Sequence, residues 1–210
     1  MNLPNKLSMA RVAAVPPFLL CLYAGTITVG TSPALAAAGE FTALALVIVV
    51  SITDWLDGHL ARKHRLVSNL GKLLDPLADK IFVAAALVAL VELSQVPAWA
   101  VVLILAREFA VTGLRALAAD RGRVISADRL GKHKMAWQLA LILCAILGMA
   151  IRNTLLCWPQ TATPSVLDSY DMVVTILLWV VLGVTVYLTV VSGWLYVARN
   201  ADLLKDEPTP

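Results

Sequence analysis

Polar residues punctuate this chain sparsely, and the apolar runs between them are long. Runs near the ~20 residues that a helix needs to cross a bilayer fall at about 10–29, 41–61, 73–93, 97–118, 134–152 and 173–197. Their breaks carry turn chemistry: Gly30 with Ser32-Pro33, Gly71, Ser94 through Pro97, Gly122, Gly131, and Pro159 through Pro164. The pattern predicts an all-α protein, a bundle of six transmembrane helices. Segments 30–40, 93–97 and 153–172 are expected as loops on one side, 62–72 and 119–133 on the other. The 93–97 connection is so short that the third and fourth helices must be antiparallel neighbours. Residues 1–200 read as a single membrane domain, and 201–210, ADLLKDEPTP, as a frayed polar tail.

Composition supports a lipid-embedded chain. Of 210 residues, 60% are hydrophobic and 15% charged, where a soluble domain carries about 25% charged. Orientation follows from how the charge is spread. Of the 17 Lys and Arg, only Arg152 falls on the side of segment 153–172. The positive-inside rule therefore places the opposite side, with both termini, in the cytoplasm. Lys6, Arg11, the first apolar run and Ala34-Leu35-Ala36 imitate a secretory signal. That run exceeds the usual ~7–15 residues and contains Pro16-Pro17, so a retained helix is expected. Cys21, Cys144 and Cys157 are scattered, odd in number and far from any metal-ligand spacing. They are expected as buried small hydrophobes. Trp99, Trp158 and Trp194 fit interfacial anchors.

The chemistry concentrates in DWLDGHLARKHRLVSNLGKLLDPLADK, between the second and third runs. A carboxylate at membrane depth costs roughly 2.5–3.5 kcal/mol even on the lenient insertion scale. Here Asp54 and Asp57 are three apart and Asp75 and Asp79 four apart, so each pair shares a helix face. The second helix runs toward the cytoplasm and the third runs back, so the pairs end at one depth. Oxygen donors without His or Cys suit Mg²⁺, Mn²⁺ or Ca²⁺ rather than zinc, and Mg²⁺ is commonly shared with substrate phosphates. Gly58, Ala61 and Gly71 permit close approach of a backbone or ligand, and Arg62 offers a phosphate fork. The bland alternative is a helix pair held by ion pairs such as Asp57 with Arg62.

A second set of charges lies downstream. Arg107 and Glu108 interrupt the fourth apolar run, and Arg115 follows about 12 Å further along that helix. Lys132 and Lys134 flank His133 at the start of the fifth. Cations beside a metal site imply a second anionic group, which fits a phosphate-bearing alcohol better than a neutral one. Arg121, Arg123 and Arg129 read as ordinary cytoplasmic charge.

The segment Asp54-x-x-Asp57-Gly58-x-x-Ala61-Arg62, then after eight residues Gly71-x-x-x-Asp75-x-x-x-Asp79, resembles the signature of the CDP-alcohol phosphatidyltransferases at every position. That resemblance implies a six-helix homodimer whose metal site opens to the cytoplasm of a bacterial cell membrane. It implies displacement of CMP from CDP-diacylglycerol by an alcohol, with Mg²⁺ or Mn²⁺ as cofactor. Asp54, Asp57 and Asp75 would bind metal, and Asp79 would contribute and act as general base. Gly58, Ala61, Arg62 and Gly71, with the metal-binding Asp54, Asp57 and Asp75, would line the CDP pocket.

Ala106-Arg107-Glu108, Thr112-Gly113-Leu114-Arg115, Gly131-Lys132-x-Lys134 and the N-terminal Leu3-Pro4-Asn5-x-Leu7-Ser8-x-x-Arg11 resemble the branch whose acceptor is sn-glycerol 3-phosphate. Its phosphate would meet Arg107, Arg115, Lys132, Lys134 and Arg11. Two other readings are open: the same chemistry with inositol phosphate or phosphatidylglycerol as acceptor, and a small membrane transporter. Transport predicts inverted repeats and midplane charges, whereas these carboxylates cluster at one leaflet. No nucleic-acid module or Gly-rich nucleotide loop is present in the sequence.

Overall fold

The computed structural model describes the backbone of residues 9–64, 69–122, 129–158 and 162–204, and their side chains apart from 54–79, 129 and 203–204. Among these residues six long helices follow one another: α1 (Val15–Thr28), α2 (Pro33–His64), α3 (Asn69–Glu92), α4 (Ala98–Asp120), α5 (Arg129–Leu156) and α6 (Pro164–Arg199). A 3₁₀ turn, Ala201–Leu204, packs against α4 and α6, so the start of the expected frayed tail is ordered. The described residues contain no strand.

A helical turn over 9–13 leads into α1. Pro16 and Pro17 have no N–H to offer Val12 and Ala13, but their fixed φ suits a first helical turn. The Ala14 N–H still reaches the Ala10 carbonyl at 2.9 Å, and Phe18 reaches Ala14 at 3.1 Å, so the rod continues.

Three of the expected loops are shorter than the punctuation implied. Segment 30–40 is mostly helix, because α2 begins at Pro33 and runs on through alanines, the best helix formers. What turns the chain is 28–32, where the Thr31 and Ser32 N–H groups both donate to the Thr28 carbonyl. Segment 153–172 contains the end of α5 and the start of α6, with Thr163 extended ahead of Pro164. Segment 119–133 likewise gives up its last residues to α5. α4 stops at Asp120, followed by Gly122 at φ +68°, a left-handed conformation that favours glycine.

The helices close a ring in the order α1, α2, α5, α6, α4, α3 and back to α1, with α3 also touching α5 across the middle. Phe18, Val47, Leu87, Leu90, Ile104 and Ile142 meet at its centre, where the Phe18 and Phe82 rings lie 5.2 Å apart. The α1–α2 contact is backbone on backbone. A Cβ on Gly39 would sit 2.7 Å from the Cys21 carbonyl, and one on Gly25 would sit 2.9 Å from that of Ala36.

The surface inverts the soluble pattern. Leu20, Ile27, Trp179, Tyr187, Val190 and Trp194 are exposed, while Glu40, Lys134, Gln138, Asn153, Thr185 and Thr189 are buried. Among the described residues four helices are long and apolar enough to cross a membrane: Met9–Thr28, Pro33–Thr53, Leu130–Leu156 and Pro164–Arg199. This is a multi-pass membrane protein. α4 falls outside that set because Arg107, Glu108 and Arg115 interrupt it. The three cysteines are free but half-buried, and Cys21 and Cys144 pack against the rim of the core.

Candidate active site

On α2 the uncharged run 41–53 is followed directly by Asp54. Asp54 stands roughly 32 Å along the helix from Pro33, about one hydrocarbon thickness. From there α2 continues as helix through Asp57, Gly58, Ala61 and Arg62 to His64. α3 opens at Asn69 and carries Gly71, Asp75 and Asp79. The side chains of these eight signature residues lie outside the described ones. What the backbone adds is that both halves of the signature are helical, which keeps each aspartate pair at its three- or four-residue spacing on one face.

Immediately after Asp79 the side chains are described, and they form a charged cluster at Glu108. Lys80 on α3 approaches Glu108 Oε2 at 3.2 Å, and Lys134 on α5 donates to Glu108 Oε1. Arg107 Nη1 lies 3.3 Å from the same Oε1. Lys80 Nζ also donates to the Glu108 carbonyl at 3.2 Å and to the Thr112 hydroxyl oxygen. That hydroxyl in turn donates to the Glu108 carbonyl at 2.7 Å. Among the described residues one carboxylate thus holds three cations from three helices, two positive charges in excess. Lys134 lies innermost with 0% of its side chain exposed, behind Glu108 at 16% and Arg107 at 14%.

Gly193 on α6 makes room for this. A Cβ there would stand 2.8 Å from Arg107 Cγ. The Arg107 Nε is buried and has no hydrogen-bond partner among the described residues, an expensive state for a charged donor unless something else meets it.

The structure therefore brings Arg107 and Lys134 together at Glu108. Arg115 is fastened to α6: its Nε donates to the Tyr196 hydroxyl at 3.2 Å, and its guanidinium carbon lies 5.6 Å from that ring's centre. Lys132, two residues before Lys134, points outward and is exposed, as a 200° helical step requires. Arg11 is buried in the turn ahead of α1. Sequence reasoning gave no site role to Lys80, Thr112, Gly193 or Tyr196. Lys80 carried a usable signal, being a lysine within an apolar run beside a signature aspartate. Gly193 and Tyr196 carried none, since their roles depend on which helix α6 packs against.

The opposite end of the bundle holds a second polar group. Glu40, 1% exposed, accepts from the Asn153 amide with both oxygens at 2.8 Å. Tyr23 donates to Glu92, and Arg152 bonds Asp171 at 2.9 Å. A cleft of about 420 Å³ borders Thr26, Glu40, Glu92, Arg152 and Asn153. Lys134 and Asn153 lie on the same helix roughly 28 Å apart, so the two groups mark its two ends.

Comparison with known proteins matches the sequence to a family. The CDP-alcohol phosphatidyltransferase family model covers residues 1–191. The CDP-diacylglycerol–glycerol-3-phosphate 3-phosphatidyltransferase of Bacillus subtilis (strain 168) is 41% identical over 210 residues, 97% of each chain. Its namesake in Rickettsia bellii (strain RML369-C) is 34% identical over 195 residues, 93% of each chain. A probable phosphatidylglycerophosphate synthase of Mycobacterium tuberculosis (strain ATCC 25618 / H37Rv) is 40% identical over 141 residues, 67% of this chain and 64% of that one. The chain belongs to the CDP-alcohol phosphatidyltransferase family.

Proposed function

We propose that the chain transfers the phosphatidyl group of CDP-diacylglycerol to sn-glycerol 3-phosphate, giving phosphatidylglycerophosphate and CMP. It does so as a homodimer in a bacterial cell membrane, with its site open to the cytoplasm and both termini on that side. The observation that carries the acceptor is the charge excess at Glu108, where three cations share one carboxylate next to the signature helix. The names of the relatives point to the same donor and acceptor.

The donor set fits a hard divalent cation: four aspartates on two helical segments, with no sulfur or imidazole in the pattern. Mg²⁺ or Mn²⁺ held by Asp54, Asp57, Asp75 and Asp79 would neutralise charge on the pyrophosphate and on departing CMP. Gly58, Ala61, Arg62 and Gly71 cradle the cytidine diphosphate beside Asp54, Asp57 and Asp75. Asp79 takes the acceptor hydroxyl's proton while that oxygen bonds to the phosphatidyl phosphorus and the bond to CMP breaks. The acceptor phosphate is gathered by exposed Lys132 and Arg115 and held by Arg107 and Arg11. Lys134 adds charge from behind Glu108. Both acyl chains stay in lipid throughout.

The test is CMP release by purified enzyme across glycerol 3-phosphate, inositol phosphate and phosphatidylglycerol, with Mg²⁺, with Mn²⁺ and with chelator. Release that needs metal and is fastest with glycerol 3-phosphate is expected. Silence with glycerol 3-phosphate while another acceptor reacts would reassign the acceptor.

A further inference from the structure

Glu108 is out of place if the cluster exists simply to attract a phosphate. A carboxylate within 3.3 Å of Lys80 and Arg107, and bonded to Lys134, lowers the local positive potential and repels an incoming anion. Its geometry supplies another reason for it. Lys80 faces three acceptors, the Glu108 carboxylate, the Glu108 carbonyl and the Thr112 hydroxyl. Two of the ammonium's three N–H donors go to the Glu108 carbonyl and the Thr112 hydroxyl and its charge faces the Glu108 carboxylate, so α4 holds Lys80 at three points. On the other side Lys134 brings α5 to the same carboxylate, and Arg107 closes the group from α4 itself. Three mutually repelling cations acquire fixed positions because one anion lies between them.

We propose that Glu108 is a positioning residue: it registers the acceptor cradle on α4 and α5 against α3, the helix that carries Asp75 and Asp79. The proposal rests on the functional reading above and adds a residue that touches neither substrate. Lys80 directly follows Asp79, so pinning Lys80 to α4 fixes the level of that stretch of α3 against Arg107. Lys134, with no exposed side chain, is held where its charge backs the phosphate without leaving the bundle. Hydrogen bonds to charged groups give such registration enough strength to be felt in turnover.

The experiment is steady-state kinetics of Glu108→Gln, Glu108→Asp and Thr112→Val in purified full-length enzyme, each substrate varied separately. Wild type is run alongside on the three-acceptor panel, and the variants are measured with the acceptor it uses best. Glu108→Gln is expected to raise the acceptor KM about tenfold while the CDP-diacylglycerol KM stays within about twofold. Glu108→Asp keeps the charge and recovers part of the loss. Thr112→Val keeps shape and all charges, removes one acceptor of Lys80, and moves the acceptor KM the same way by about threefold. It also covers the case in which Glu108→Gln fails to fold. An acceptor KM that falls in Glu108→Gln would mean that the carboxylate acts purely by charge. Lower melting temperatures with both KM values unchanged would mean a purely structural role, and either result overturns the proposal. A wild type that prefers another acceptor changes the functional reading and leaves this comparison intact.

Discussion

Two glutamates sit inside apolar helices of this protein, Glu40 buried and Glu108 half-buried, and they are treated differently. Glu108 is surrounded by Lys80, Arg107 and Lys134, whereas Glu40 is met by the Asn153 amide. Both are intramembrane acids of the kind that mark function by default, so location within the membrane does not separate them. Their partners do. Three cations on one carboxylate leave charge to spare for a substrate, and they join the helix of the signature aspartates to two others. A carboxyl group and an amide satisfy one another and have nothing left to offer an anion. On the proposed reading the Glu108 end sets acceptor specificity, and the Glu40 end is where α2 is tied to α5.

The widest split between the two ends is in catalysis itself. Asp79→Asn is expected to lower kcat by roughly a hundredfold or more, the scale of a lost general base, with the thermal midpoint in detergent unchanged. Full turnover in that variant would remove the chemistry from this end and leave the comparison without its basis. Glu40→Ala should do the reverse. It strips the Asn153 amide of both acceptor oxygens and costs about 1–3 kcal/mol of stability. Its melting temperature falls while both KM values hold, and a shifted acceptor KM would show that the two ends are coupled.

Gly193→Ala probes the functional end without altering a charge. The added methyl would stand 2.8 Å from Arg107 Cγ, part of the stem rather than a movable tip, so Arg107 must shift. The acceptor KM should rise about fivefold, since small displacements of a positioning group are felt in rate. Stability should fall modestly, because the strain of an overpacked methyl, about 1–3 kcal/mol, outweighs the helix preference for alanine of about 1 kcal/mol. An unchanged acceptor KM would remove Arg107 from the phosphate cradle.

What the sequence disclosed about these ends follows from the kind of information each needed. The helices were readable because an apolar run of membrane length satisfies its backbone in lipid only by coiling into one, and Arg107-Glu108 stood out as an interruption of such a run. The loop at 30–40 was misplaced because Ser32-Pro33 reads equally as a turn and as the first residues of a helix. Its alanines then carried α2 back over Glu40, turning an expected loop acid into a buried one. Glu108's partners were out of reach for a different reason. Lys80 and Lys134 stand 28 and 26 residues away, and Asn153 is 113 from Glu40. Such pairings depend on which helices adjoin in the ring, and helical periodicity says nothing of that. The signature aspartates needed no tertiary knowledge, since their spacing within two helices already gives each pair a shared face.

The finest division lies within the functional end, between cations held by Glu108 and Arg115, which α6 holds instead. Arg115→Ala should raise the acceptor KM more than that for CDP-diacylglycerol. Tyr196→Phe should raise it by about twofold, the scale of one hydrogen bond on a partly exposed guanidinium. The ring 5.6 Å from the guanidinium carbon remains in that variant, and only the hydroxyl at 3.2 Å is lost. If Tyr196 serves by aiming Arg115, the double variant is no worse than Arg115→Ala alone, because the two side chains then act as one unit. Additive losses would give Tyr196 a separate contact with the acceptor and extend the cradle onto α6.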